Sequence, residues 1–412
     1  MSAQRILVVE PMSSANGLIL AAHQQGFEVV VASHHSGDRT IPEALREYID
    51  ELLVVDTNDE AALTEVVTEA HGRQPLTGIL PGFEFYVDSV ARLAHRLGLP
   101  GLPVETVAAL RDKSVMRARA EAAGLRVPRY AEASGLDELL AAAAHVGYPA
   151  VLKPAASAGS VHVSRVDDED GLRRAYDWLV SDTRTDAGRG LDGRVLLEEY
   201  VAGPEISVEG YVTDGEVVVS ALTTKLLGPE PHFVEIGMVV QHETDPETRA
   251  RIEAYVVDLC RALNLPLGIF HCELRLPEGD PVLIEIGARL AGHRIPHLVE
   301  LATGTSLTRI MLAHYTGQDP AELGAFTAPR AKTAAIHCFT ADGLEVFHRV
   351  AGAEELRTAP DVLEVSVYYR EGEEIPPAED FRALLGHVVF AAESHTAALE
   401  RIEALGREVR VE

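Results

Sequence analysis

Two glutamates occupy strand interiors, where a carboxylate is hard to accommodate. Glu273 lies within the apolar run Phe270–Leu276 and Glu285 within Val282–Ile286, and the two runs read as a hairpin across the turn Pro277–Asp280. Their odd numbering can place both carboxylates on one face of the paired strands. Buried side by side they repel, at a cost of several kcal/mol, unless a cation or a metal ion sits with them. Oxygen-only ligands suit Mg²⁺, which also takes phosphate oxygens and water, and Mn²⁺ can substitute. Arg289, four residues beyond Glu285, can face the same centre; a plain Glu285–Arg289 salt bridge is the simpler alternative.

Further residues could bind a nucleotide. Lys113 opens a helix after Asp112, and Lys153 ends a strand before Pro154. A lysine on a rigid element holds phosphate as a point charge. The small-residue loop Ala155–Ser160, with Ser157 and Ser160, offers backbone N–H groups of the kind that wrap phosphates. A purely structural strand-end lysine fits Lys153 equally well. In the segment Glu198-Glu199-Tyr200-Val201-Ala202-Gly203-Pro204-Glu205, a strand end can present its backbone to an adenine edge, and Glu205 can take ribose hydroxyls. The same residues also fit an acidic edge strand with a tight turn.

The elements that must carry these residues alternate. Arg5–Val9, Phe27–Ala32, Leu52–Val55 and Gly78–Leu80 read as strands, with helices at Gly17–Gln25 and Val87–Leu97, giving a parallel βαβ unit. The loop after the first strand lacks GxGxxG, which removes the main motif of a dinucleotide-binding dehydrogenase. Leu99-Pro100-Gly101-Leu102-Pro103 is a candidate boundary. Helices follow at Val104–Leu110, Lys113–Ala123 and Asp137–Ala144, then strands at Pro149–Lys153 and Val161–Arg165. The polar stretch Ser181–Asp192 reads as a mobile surface loop. Strands at Val195–Tyr200, Ile206–Thr213 and Glu216–Leu222 precede an amphipathic helix at Glu247–Leu263. Past about residue 325 the chain is strand-rich again, closing with a helix at Thr396–Leu405. The expected division is 1–110, 111–325 with a lid near 125–195, and 326–412.

A chain of 412 residues exceeds one ordinary core, so two to four domains are expected. Lys and Arg number 36 against 64 Asp and Glu, a net charge of −28. That field repels nucleic acid and anionic membrane, so neither is an expected partner. It also repels ATP, so a nucleotide site needs local cations or metal. No apolar run is long enough to span a membrane, and the run Ile6–Val9 is too short for a secretory signal. Cys260, Cys272 and Cys338 are scattered among apolar residues and read as reduced thiols of a cytoplasmic protein.

Taken in order, Asp112-Lys113, Val151-Leu152-Lys153-Pro154, Leu197-Glu198-Glu199-Tyr200-Val201, Gly203-Pro204-Glu205, Phe270-His271-Cys272-Glu273-Leu274 and Ile284-Glu285-Ile286-Gly287-Ala288-Arg289 resemble the ATP-grasp superfamily over nearly the whole chain. The resemblance implies an α/β protein: a parallel N-terminal domain, an α+β ATP-grasp core with a lid, and a strand-rich C-terminal part. It implies ATP as cosubstrate, with Lys113 and Lys153 on phosphates, Glu198, Glu199 and Val201 at adenine and Glu205 at ribose. Glu273 and Glu285 would hold Mg²⁺, and Arg289 would stabilise an acyl phosphate and the tetrahedral intermediate. Two positions depart from the pattern. Gly287 stands where many members carry Asn, removing a metal-ligand side chain. The phosphate loop has only Gly159, with His162 close by.

Pro81-Gly82-Phe83-Glu84-Phe85, Pro231-His232-Phe233-Val234-Glu235-Ile236-Gly237 and Arg289-Leu290-Ala291-Gly292-His293 look most like L-amino-acid ligases, which join two amino acids into a dipeptide. Many such enzymes are homodimers. Glu84, His232, Glu235 and His271 are candidate bases for the amine, and Glu84 can instead pair with a substrate ammonium. Gly292, His293 and Arg294 can receive a carboxylate. The rival readings are an ATP-grasp carboxylase using bicarbonate, a ligase of a different carboxylate, and a non-catalytic nucleotide-binding module.

Overall fold

A computed structural model describes residues 4–182, 186–191, 193–340 and 343–412. The N-terminal part alternates β1 (Arg5–Val9), α1 (Asn16–Gln24), β2 (Glu28–Ser33), β3 (Glu51–Val54), α2 (Glu60–Arg73), β4 (Gly78–Pro81) and α3 (Val87–Leu97). Its strands form a parallel sheet of order β3-β2-β1-β4. Every residue of β1 is buried, as a parallel strand covered on both faces requires. Helix α2 was not expected from the sequence. Asp59 caps it by accepting from the Ala61 and Ala62 N–H groups.

Two helices, α4 (Val104–Arg111) and α5 (Lys113–Ala122), lead into a second sheet. Asp112 caps α5 through the Ser114 and Val115 N–H groups, which fixes Lys113 at the helix start. Gly124, at φ +78, terminates it in the left-handed conformation that glycine adopts without strain. The segment expected to form the lid then runs β5 (Tyr130–Ala133), α6 (Leu136–Val146), β6 (Ala150–Pro154), β7 (Ser164–Val166), α7 (Glu169–Ser181) and β8 (Val195–Glu199). Its antiparallel sheet has the order β5-β8-β6-β7. Sequence reasoning missed β5 and α7 and started β7 too early. Ser160 and His162 have positive φ, so extended backbone resumes only at Ser164.

The largest sheet has eight strands in the order β13-β12-β9-β10-β11-β14-β17-β16. These are β9 (Glu205–Thr213), β10 (Glu216–Leu227), β11 (Glu235–Val240), β12 (Gly268–Arg275), β13 (Val282–Gly287), β14 (Thr333–Phe339), β16 (Val362–Val367) and β17 (Gly386–Ala392). Helix α8 (Pro246–Ala262) joins β11 to β12, and α9 (Ile295–Thr303) and α10 (Leu307–Thr316) follow β13. Past the short strand β15 (Val350–Ala351), helix α11 (Ala353–Leu356) precedes β16. Helix α12 (His395–Glu408) and β18 (Arg410–Val411) close the chain. The C-terminal strands thus extend the very sheet that carries Glu273 and Glu285. Among the described residues no helix is long and apolar enough to cross a membrane.

The stretch expected as a mobile loop is partly docked; residues 183–185 and 192 lie outside the described residues. Ala187 is buried, its N–H donates to Asp38 Oδ2 (2.8 Å), and Asn58 Nδ2 donates to its carbonyl (2.9 Å). Arg189 donates to Asn58 Oδ1 (2.7 Å) and lies over the Tyr86 ring. The lid therefore reaches the N-terminal domain through specific polar contacts.

Candidate active site

Alternation along antiparallel strands builds one polar face. Glu273 on β12 pairs in register with Glu285 on β13 and with Ser207 on β9. One row along, His271 faces Gly287 and Glu209; in the other direction, Arg275 faces Glu205, which faces Lys225 on β10. Residues two apart share a face, so this single surface gathers acids and bases from four strands.

The repulsion expected between buried carboxylates is relieved by cations. Lys225 Nζ contacts Glu235 and Glu273 at 2.5 Å each and Glu205 at 3.1 Å. Burial alone would push its ammonium down, but the three glutamates raise it well above its ordinary value. Burial likewise disfavours an ionised Glu273, and Lys225 and His271 outweigh it, holding the carboxyl well below the usual range. His271 donates from Nδ1 to Glu209 (2.9 Å) and from Nε2 to Glu273 (3.1 Å). These carboxylates overcome its burial and raise the imidazole to about 9. His271 is therefore protonated at neutral pH, which removes it from the role of base.

Glu285 pairs with Lys113 Nζ at 3.2 Å, not with Arg289. Lys113 also donates to the Ser157 carbonyl at 3.0 Å, so one lysine ties the phosphate loop to a metal-type carboxylate. Lys153 pairs with Glu198, whose other oxygen accepts from Arg117 Nε at 2.8 Å. Fully buried Arg117 also donates to the Ile284 carbonyl at 2.6 Å, joining α5 to both the lid sheet and β13. Arg289 donates instead to Glu84 Oε2 (2.5 Å), and Arg111 to Glu84 Oε1 (2.7 Å). Burial raises the Glu84 carboxyl, yet the two arginines prevail and hold it at about 2.

Many of these groups line one cavity of about 720 Å³, in the range of small-molecule sites, with Lys225, Glu209, Arg111 and Arg117 behind them. Lys113, Lys153, Ser157, Ser160, Glu198 and Glu199 face it, as do Val201, Glu205, Glu273, Glu285 and Arg289. So do Glu84, Glu235, His271, Gly292 and His293. His232 does not: its ring packs on Trp178, 5.2 Å between centroids, behind the lid. His162 also turns away, its Nε2 2.8 Å from Asp182 and its ring edge-on to Trp178. Gly159 lies under Phe381, where a Cβ would come within 2.4 Å of the ring. Gly159 and Ser160 are consecutive residues of positive φ, so the backbone turns sharply at this edge of the cavity.

Sequence reasoning missed Lys225, Arg117, Arg111 and Arg275. The signal available for Lys225 was its place inside the alternating strand Glu216–Leu227, the same anomaly that marked Glu273.

A carboxylate pair, two lysines and Arg289 around one cavity, between a parallel domain, a lid sheet and a large antiparallel sheet, suit a nucleotide-dependent group transfer. Residues 146–297 match the ATP-grasp domain model and 19–101 the ATP-grasp N-terminal domain model. The chain belongs to the ATP-grasp superfamily. Residues 339–412 match L-amino acid ligase C-terminal domain 2, which sets the chain beside those ligases. It is 31% identical to dapdiamide A synthase of Enterobacter agglomerans, over 62% of this chain and 59% of that protein. It is 28% identical to alanine–anticapsin ligase of Bacillus subtilis, over 56% of this chain and 52% of that one. The match thus spans little more than half the length of these two relatives. The fold is that of L-amino acid ligase from Bacillus licheniformis, with a TM-score of 0.84, 24% identity and coverage of 99% and 98%.

Proposed function

We propose that this ATP-grasp carboxylate–amine ligase joins two amino acids into a dipeptide, in the cytoplasm, with ATP converted to ADP and phosphate. The observation that carries the reading is the in-register pair Glu273 and Glu285, facing the same cavity as Lys113, Lys153 and Arg289. The donor set fits Mg²⁺: two oxygen ligands on adjacent strands. Among the described residues no group of three or more His, Cys, Asp or Glu is arranged for a metal. A hard cation held by two carboxylates completes its shell with phosphate oxygens and water. When bound, Mg²⁺ supplies charge neutralisation at the transferring phosphoryl group.

The donor carboxylate attacks the γ-phosphorus of ATP; the β,γ bridge breaks, giving acyl phosphate and ADP. Lys113 and Lys153 hold the phosphates, and Arg289 stands at the acyl centre, where charge develops on the oxygen. The second amino acid's amine then adds to the acyl carbon and phosphate leaves. Glu84 and Glu235 are both held at about 2, Glu84 against its burial by Arg289 and Arg111, Glu235 by Lys225 and His293. As permanent anions they suit a substrate ammonium better than a proton-accepting role.

The test is phosphate release with pairs of amino acids, the product identified by mass. ATP consumption that never depends on an amine would defeat the ligase reading, and consumption that depends on bicarbonate alone would establish the carboxylase. Glu285→Gln is expected to lower turnover by at least about 100-fold.

A further inference from the structure

Resting on the ligase reading, the cavity must also hold the second amino acid, whose amine reacts and whose own carboxylate stays free. That carboxylate needs a cation. Most cavity cations are committed: Lys113 to Glu285, Lys153 to Glu198, Arg275 to Glu205, and Arg289 to Glu84. Arg382 is held by both oxygens of Asp380.

Arg294 differs. It lines the cavity five residues beyond Arg289, and its side chain is 40% exposed. Only Nη2 is bound, donating to Glu364 Oε2 at 2.5 Å, while Nε is buried without a hydrogen-bond partner among the described residues. With Nη2 alone engaged, the guanidinium keeps donors unmatched, and a carboxylate is the group that pairs with them. Its backbone is also held in a costly form. His293 at φ +50 and Arg294 at φ +64 are consecutive left-handed residues that are not glycine. Such strain persists only where surrounding contacts enforce it. His293 is fixed by Glu235 at 2.9 Å and Arg294 by Glu364, so the turn is clamped from both sides.

The clamp on Arg294 comes from the C-terminal strands. Glu364 on β16 accepts from His387 Nε2 on β17 at 3.0 Å and from Ser366 at 3.3 Å. His387 in turn meets the Tyr368 hydroxyl at its Nδ1. All four residues line the cavity. Glu364 offers one oxygen to Arg294 and the other to this chain, which aims the guanidinium without closing its open edge.

We propose that Arg294 receives the free carboxylate of the amine-donating amino acid, and that Glu364 and His387 are positioning residues that aim it. The C-terminal part thereby becomes a wall of the acceptor site.

The experiment takes the best acceptor among the common amino acids and its carboxamide, and measures the ratio of their kcat/KM values at saturating ATP and donor. The wild-type protein is expected to favour the acid, and Arg294→Ala to collapse that preference at least tenfold. Arg294→Lys should keep part of it, since charge remains and the fork is lost. Glu364→Gln should lower the ratio through acceptor KM more than through kcat. A general structural disturbance would depress both acceptors alike; an unchanged ratio in Arg294→Ala and Arg294→Lys overturns the proposal. Hydroxylamine as amine separates the two readings: wild-type hydroxamate formation with no amino acid serving as acceptor overturns the acceptor site alone. Neither product with any donor overturns the ligase reading beneath it.

Discussion

Glu273 owes its ionised state to Lys225, which it meets across β9, 48 positions away in the chain. Removing that ammonium leaves three buried glutamates unbalanced. Lys225→Met is therefore expected to abolish turnover and to lower stability by about 3–5 kcal/mol, read as a shift of the denaturant midpoint. His271 gives a pH dependence of definite sign. Its imidazole is raised from 6.5 to about 9 in the folded protein. A raised group stabilises fully below 6.5, and its contribution fades as pH climbs through 9. Stability should fall across that window by an amount on the order of 3 kcal/mol, and His271→Gln should flatten the fall in a series of guanidinium titrations. Charged residues inside apolar strands were legible in the sequence, because the strand period puts Glu273 and Glu285 on one face. Their partners were not: which cation meets which acid depends on strand order, and β9 and β10 enter the sheet on one side of β12 while β13 enters on the other.

At the scale of elements, strong periodicity carried over well. The N-terminal βαβ unit, α8 and the β12–β13 hairpin occur where their patterns put them. Short, half-exposed β5 did not announce itself and β7 begins later than its pattern suggests, since their form is imposed by β8 and β6 beside them. The phosphate loop shows the same dependence. Gly159 is required both by its φ of +68 and by the Phe381 ring beneath it, a residue more than two hundred positions on. Gly159→Ala should displace the loop and raise KM for ATP at least tenfold, a change of about 1.4 kcal/mol, with the donor KM much less affected. Trp178 is the sole tryptophan, and it lies between His162 and His232 at the back of this loop. ATP binding should therefore change its fluorescence, and Gly159→Ala should shift the titration to higher ATP.

For the whole molecule, a charge of −28 surrounds a site built for a polyanion. Lys113, Lys153 and Arg289 stand at the cavity, while the long-range field opposes approach. Raising ionic strength from about 0.01 M to about 0.15 M shortens the reach of that field to about 8 Å. The rate of ATP association, followed by stopped-flow on Trp178, should therefore rise with salt over that range rather than fall. Composition argues against nucleic-acid and membrane partners on charge alone, but it could not reveal that the C-terminal strands complete the central sheet. That depends on β14 pairing with β11, a contact between segments almost a hundred residues apart.

Gly287 constrains the order in which this site could change. A Cβ there would stand 2.9 Å from Glu84 Oε2, the oxygen that accepts from Arg289 while Oε1 accepts from Arg111. A lineage that gained a larger residue at 287 while keeping Glu84 would pass through a crowded intermediate, its anchoring arginine torn loose. A lineage that first shortened residue 84 would leave two arginines facing each other unneutralised. The two positions must be exchanged almost together, so in laboratory evolution neither single substitution should survive selection even where the double one does.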